Sequence, residues 1–392
     1  MVDTTFTRAL ARNSAKPNFL VLWDEAAGLA NLSSYSDGLV GYRTDNIDRI
    51  ADEGMRFTDA YGEQNSAGGR IAFSTGQHPC RVSKETLNRA HPTVATLLGQ
   101  QQYATWHFGE GRNGGRSDTI TNAMAFMIAA CIARQPFYCW VSLTQPPNAS
   151  HRATMVEHDA VVGELLDFLD ERGLSDQTIV LYASGSGPQR TGCIDVGATP
   201  FRVGPGWCGE GSYRVPLVLR WPGVIPAGEV SNELVHHTDF LPTMLAITGD
   251  VGARTRLRRG QADYPDPIHL DGQNLFPYLR GDDTIGPRSS NIYFSLAGEV
   301  MALRLGDWKC VFDHGRAERP WFRNLRGDPF ERDEVAASVE RWQEQDGLGV
   351  IGQAVLGDFA EVLSVFPPPQ AVTTASLQAA VESLSAAAGA QH

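Results

Sequence analysis

The first apolar run, Asn18 to Trp23 (NFLVLW), shows no alternation of apolar and polar positions. A short run of this kind fits a strand covered on both faces. Thr44 to Glu53 places Ile47 and Ile50 on one face behind a Thr-Asp start, which predicts a capped helix. The same reading predicts strands over Met55–Tyr61, Tyr103–Phe108, Phe137–Leu143, Thr178–Ala183 and Val215–Arg220. Between them it predicts helices over Thr93–Gln101, Ala123–Arg134, Met155–Arg172 and Asp239–Thr248, the last with Pro242 in its first turn. Strands alternating with helices point to an α/β fold: a mixed, mostly parallel sheet with helices on both faces.

The pattern changes after about Gly252. Residues 249–287 are rich in Asp, Gly and Pro. Four short strand-like runs follow, Asn291–Leu296, Val300–Leu305, Trp308–Asp313 and Trp321–Leu325, then a helix from Glu334 to Val365 before Pro367-Pro368-Pro369. The expected organisation is an α/β domain over 1–285 and a small C-terminal antiparallel sheet plus helix over 286–370. A tail over 371–392 is open to helix formation, but its Gly389 and small residues predict fraying.

Composition narrows the function classes. The 392 residues are 42% hydrophobic and 20% charged, with a formal net charge of -12. That balance argues against nucleic acid or an anionic membrane as the main partner. No stretch is apolar and long enough to span a bilayer, and residues 1–16 lack the apolar core of a signal peptide, so a cytoplasmic location is expected. The six cysteines, Cys80, Cys131, Cys139, Cys193, Cys208 and Cys310, form no C-x-x-C pair and predict reduced thiols. Gly109, Gly111 and Gly114 have dinucleotide-fingerprint spacing, but no acidic residue ends the next strand at Leu143-Thr144-Gln145, so no nicotinamide or flavin is expected.

Several segments together carry a family resemblance: WDEAAG from Trp23, SYSDGLVGYRTDNIDRIADEGMRFTDAYGEQ from Ser34, NSAGGRIAFSTGQ from Asn65, and MVEHDAVVGELLDFLDERGLSDQTIVLYASGSGP from Met155. TPFR, YRVPLVLRWPG from Tyr213, HTDFLPTML from His237 and NLRGDPFER from Asn324 complete the set. In order and spacing the chain resembles the sulfatases of the alkaline phosphatase superfamily. The resemblance implies a Cys or Ser converted to formylglycine in a Cys/Ser–x–Pro/Ala–x–Arg motif. Ser66 and Arg70 hold its ends here, with Gly68 at the Pro/Ala place. It also implies a calcium or magnesium ion held by two Asp after the first strand and an Asp-Asn pair after a later one. Those places read Glu25, Ala26, Gly185 and Ser186. The family's Lys and His after the Phe108 strand read Glu110 and Arg112, and a further family Lys falls at Pro205.

A hard dication takes roughly six or more oxygen ligands, so the expectation is a degenerate site with no metal and no cofactor. Ser66 reads either as a nucleophile or as a loop serine capping the helix that follows near Gly69 to Ala72; the G-x-S-x-G elbow is absent. Glu25 and Glu110 read as an acid–base pair flanking one cavity, or Glu110 reads as the salt-bridge partner of Arg112 or Arg70. His151 lies in a loop after a strand end and is a candidate acid–base group; His236 and His237 read as structural. The expected site is catalytic Glu25, Ser66, Glu110 and His151, with Arg70, Arg112 and Ser186 holding a small polar or anionic molecule. A metal-independent enzyme, a non-catalytic ligand-binding module and a residual sulfatase or phosphatase all stay open.

Overall fold

The computed structural model describes residues 16–82, 91–109, 116–143, 150–188, 198–203, 208–312, 320–332, 339–369 and 371–389. A seven-stranded sheet runs through its centre. In chain order its strands are β1 (Asn18–Asp24), β2 (Met55–Phe57), β4 (Ala104–Phe108), β5 (Phe137–Leu143), β6 (Thr178–Ser184), β7 (Leu217–Arg220) and β8 (Glu229–Ser231). A separate parallel pair is made by β3 (Ala60–Tyr61) and β9 (Val235–His236). The large sheet has the order β4-β5-β1-β6-β7-β2-β8; β4, β5, β1 and β6 are mutually parallel, and β7 is antiparallel to both its neighbours. The mixed, mostly parallel sheet expected from the strand–helix alternation is therefore present.

All seven residues of β1 are buried because β5 and β6 flank it and helices cover both faces. Side chains alternate along a strand, so β1 feeds two cores. Phe19, Val21 and Trp23 join one, with Phe73 of the helix Ser66–Thr75; Leu20 and Leu22 join the other, with Leu165 and Leu166 of the helix His151–Glu171.

The C-terminal strands β10 (Ser290–Phe294), β11 (Val300–Leu305), β12 (Trp308–Val311) and β13 (Trp321–Asn324) form an antiparallel meander. The helices Val339–Val365 and Ala371–Gly389 pack on it. The last helix is better anchored than its small residues predict: Leu377, Ala380 and Leu384 are buried in the core of this unit. Among the described residues no helix is long and apolar enough to cross a membrane.

A buried, charge-balanced network ties the C-terminal sheet to β3 and to the segment that precedes β7. Lys309 on β12 reaches Glu210 at 3.0 Å and Glu331 at 2.9 Å, and Arg304 on β11 reaches Asp59 at 2.7 Å. Arg214 pairs with Asp59 at 2.7 Å, while Tyr61 and Tyr293 donate their hydroxyls to Glu210 at 2.5 and 2.6 Å. Burial pushes the Glu210 carboxyl up, but Lys309, Arg304 and Arg214 outweigh it and hold it down at about 2.

Candidate functional site

The site is built where the C-terminal ends of β1 and β6 meet the start of the helix Ser66–Thr75, the region where open α/β sheets carry ligands. Asn65 caps this helix by accepting the Gly68 amide at 2.6 Å, which leaves Ser66 as its first residue. Aromatic packing holds the helix in place: Trp23 meets Phe73 edge-on at 5.3 Å and Trp140 at 4.8 Å, and Phe73 stacks on Phe240 at 4.8 Å.

Glu25 leaves the end of β1 and turns toward this helix. The Ser66 hydroxyl donates to Glu25 Oε2, and Glu25 Oε1 lies 3.9 Å from Arg70 Nη1, one helical turn beyond Ser66. Glu25, Ser66 and Arg70 are thus one constellation, and all three are partly exposed. The loop after β6 closes against it from behind. Ser186 is buried and donates its hydroxyl to the Gly187 carbonyl at 3.1 Å. Gly185 lies so close to the helix that a Cβ built there would stand 2.9 Å from both Cα and Oγ of Ser66. A Cβ on Gly69 would run into the Gly185 carbonyl oxygen, so glycine at both positions is what permits this approach.

His151 opens the helix on the opposite face of the sheet. There it faces Asp24, a residue that reading the motif alone passes over. Strand alternation sends Asp24 to the face opposite Ser66. Its carboxylate accepts from His158 Nδ1 at 2.8 Å, the Tyr182 hydroxyl at 3.1 Å, and the amides of Ala26 and Ala27 at 3.0 and 3.1 Å. Burial raises the Asp24 carboxyl, but His158, the Ala26 amide and His151 together bring it below the usual carboxylate range. Glu110, Arg112, Pro205 and Cys193 lie outside the described residues. Cys208 is a buried free thiol.

A second buried cluster lies behind the first turn of the Ser66 helix, where a Cβ on Gly68 would meet Glu63 Cβ at 3.1 Å. Glu63 Oε1 is 2.9 Å from His78 Nδ1 and 3.6 Å from His236 Nε2. Burial raises the Glu63 carboxyl and depresses the His236 imidazole. No local motif links the three residues. They are joined by the β3–β9 pairing, which sets Tyr61 opposite His236, and by the turn that follows the Ser66 helix. Farther off, at the C-terminal end of that helix, a cavity of about 510 Å³ is lined by Gln77, Arg81, His91 and His269. Ten helical residues, roughly 15 Å of rise, separate it from Ser66.

Comparison with known proteins places this arrangement in a family. A family model described as Sulfatase matches residues 17–138 and 142–250. The chain is 25% identical over 391 residues to an arylsulfatase from Hemicentrotus pulcherrimus, covering 76% of this chain and 67% of that protein. It is 30% identical over 391 residues to N-acetylgalactosamine-6-sulfatase from Sus scrofa, covering 76% and 72%. The structure of the PsFucS1 sulfatase from Pseudoalteromonas sp. superposes with a TM-score of 0.77 at 21% identity, covering 94% of this chain and 96% of that one, a likeness of fold. The family match spans more than half of the chain and includes both the β1 end and the Ser66 helix, and on that ground the chain belongs to the sulfatase family.

Proposed function

We propose that this sulfatase-family chain works without the family's hard dication, and that Glu25, Ser66 and Arg70 form an acid–base site for a small polar or anionic molecule. The observation that carries the reading is the Ser66 hydroxyl held on the Glu25 carboxylate with Arg70 beside it. The donor set supports it. Of the four places that would supply carboxylates and an amide to calcium or magnesium, Glu25 alone is acidic; the others are Ala26, Gly185 and Ser186. Glu25 already faces a cation, and the space a longer side chain would need at Gly185 is filled by Ser66. These residues do not fit a hard dication, which needs several carboxylate or carbonyl oxygens.

In this reading Glu25 takes the Ser66 proton as Ser66 Oγ adds to an electrophilic double-bonded centre, whose displaced bonding pair moves onto its oxygen. Arg70 and the positive end of the helix dipole face the negative charge that develops. Glu110 and Arg112 are proposed to line the same pocket; His151, expected at its rim, lies instead on the Asp24 side of the sheet and has no part in this reading. Replacing Glu25 by Gln lowers turnover by ~10²-fold or more, the usual size of a general acid–base contribution, while the fold survives. The test is native mass spectrometry of the full chain for a co-purifying small molecule, followed by turnover of that molecule by wild type and Glu25→Gln. Calcium or magnesium held at about one per chain rejects the metal-free pocket.

A second reading, a non-catalytic binding module, is favoured by the same pairing: Arg70 and Ser66 occupy both carboxylate oxygens of Glu25. A molecule that co-purifies, binds reversibly and is returned unchanged would select it.

A further inference from the structure

We infer that Glu63, His78 and His236 form a site for a zinc-class transition-metal ion, separate from the Ser66 pocket and structural in role. The three side chains are buried, and their nearest ligand atoms all lie within 4.8 Å of one another. Two imidazole nitrogens converge on one carboxylate oxygen, His78 Nδ1 at 2.9 Å and His236 Nε2 at 3.6 Å. In a tetrahedral zinc site the metal–ligand distances of about 2.0–2.2 Å put neighbouring ligand atoms roughly 3.3 Å apart. The two separations from Glu63 bracket that value, and the two imidazole nitrogens lie within 4.8 Å of each other, so side-chain rotations that draw the imidazoles together complete the geometry. One dication would then take the place of two imidazole protons now directed at Glu63.

The chemistry selects the ion. Two imidazoles and one carboxylate suit zinc and its neighbours, whereas calcium and magnesium want oxygen shells. The surroundings hold the His236 ring in place. His236 Nδ1 accepts the Thr238 main-chain amide at 3.2 Å and lies 3.0 Å from the Thr238 hydroxyl, so the ring proton sits on Nε2; binding the ion requires it to move to Nδ1, where the hydroxyl can accept it. The His78 main chain is fixed by its amide, which donates to Asp271 at 2.9 Å, and Asp271 is paired with Arg81 at 2.8 Å. Aromatic rings close the outside: Phe294 lies 4.9 Å and Phe359 6.4 Å from the His78 ring. Such walls exclude substrate and argue for a tie rather than a catalytic centre. The ion would join β3, β9 and the turn after the Ser66 helix at the seat of the C-terminal unit, to which Phe294 and Phe359 belong.

The probe is cobalt(II) added to the full-length protein after dialysis against a chelator. One equivalent per chain is expected to produce the visible ligand-field bands of a four-coordinate ion, and zinc is expected to displace it. His78→Ala and His236→Ala each abolish the bands, whereas Glu25→Gln and Ser66→Ala keep them. If the histidine variants fold poorly, X-ray absorption on the zinc-loaded wild type decides, because it reports imidazole ligands without any substitution. The site is rejected by folded wild type that takes up no cobalt, by bands that survive loss of both histidines, or by a zinc spectrum lacking imidazole. None of these outcomes bears on the calcium and magnesium measurement that tests the Ser66 pocket.

Discussion

Replacing Gly185 by alanine tests the packing on which the metal-free pocket rests. The added methyl would stand 2.9 Å from Cα and Oγ of Ser66 and 3.0 Å from its carbonyl oxygen. Relaxed carbon contacts begin near about 3.5 Å, so the loop or the helix must shift by several tenths of an ångström. The helix resists, since Trp23, Trp140 and Phe240 grip it through Phe73. Backbone conformation adds nothing to the cost, because Gly185 is not among the glycines with positive φ. Overpacking of this kind costs about 1–3 kcal/mol, roughly a 5- to 150-fold drop in the folded-to-unfolded ratio. In urea titrations the midpoint falls while the slope stays constant. Gly185→Asp loses more, since it also sets a second carboxylate near Glu25, and calcium does not restore it. An alanine variant with the wild-type midpoint, or an aspartate variant that calcium stabilises, would refute the reasoning.

Three further outcomes are expected. Peptide mass spectrometry finds unmodified serine at position 66, and hydrolysis of a chromogenic aryl sulfate stays at background in wild type and Ser66→Ala alike; formylglycine, or turnover that the substitution abolishes, returns the chain to sulfate ester chemistry. Lys309→Met leaves Glu210 and Glu331 buried without their shared cation and destabilises by about 3–5 kcal/mol; chemical denaturation showing almost no loss would contradict the role assigned to that network. Glu210, depressed to about 2 from an ordinary 4.5, contributes stability that is complete above about 4.5 and is lost as pH falls toward 2. Urea midpoints measured down the acid limb should therefore decline in wild type and decline less steeply in Lys309→Met.

The layered fold was legible because its signals are local. Asn18–Trp23 is uniformly apolar since β1 is covered on both faces, and the alternation of such runs with amphipathic helices already implies a mostly parallel sheet. Motif order was enough to bring Glu25, Ser66 and Arg70 to one place, because each sits next to an element end that the sheet topology aligns. Tertiary structure alone decided the rest. Asp24 and Glu25 are chain neighbours, yet strand alternation carries one to His158 and the turn carries the other to Ser66. Glu63, His78 and His236 meet only because β9 pairs with β3, joining residues 60–61 to residues 235–236, a contact that no local pattern encodes. The terminal helix is held by burial of Leu377 and Leu384, which intrinsic propensity does not register. Local chemistry is written residue by residue, whereas convergence depends on which faces the completed sheet turns toward one another.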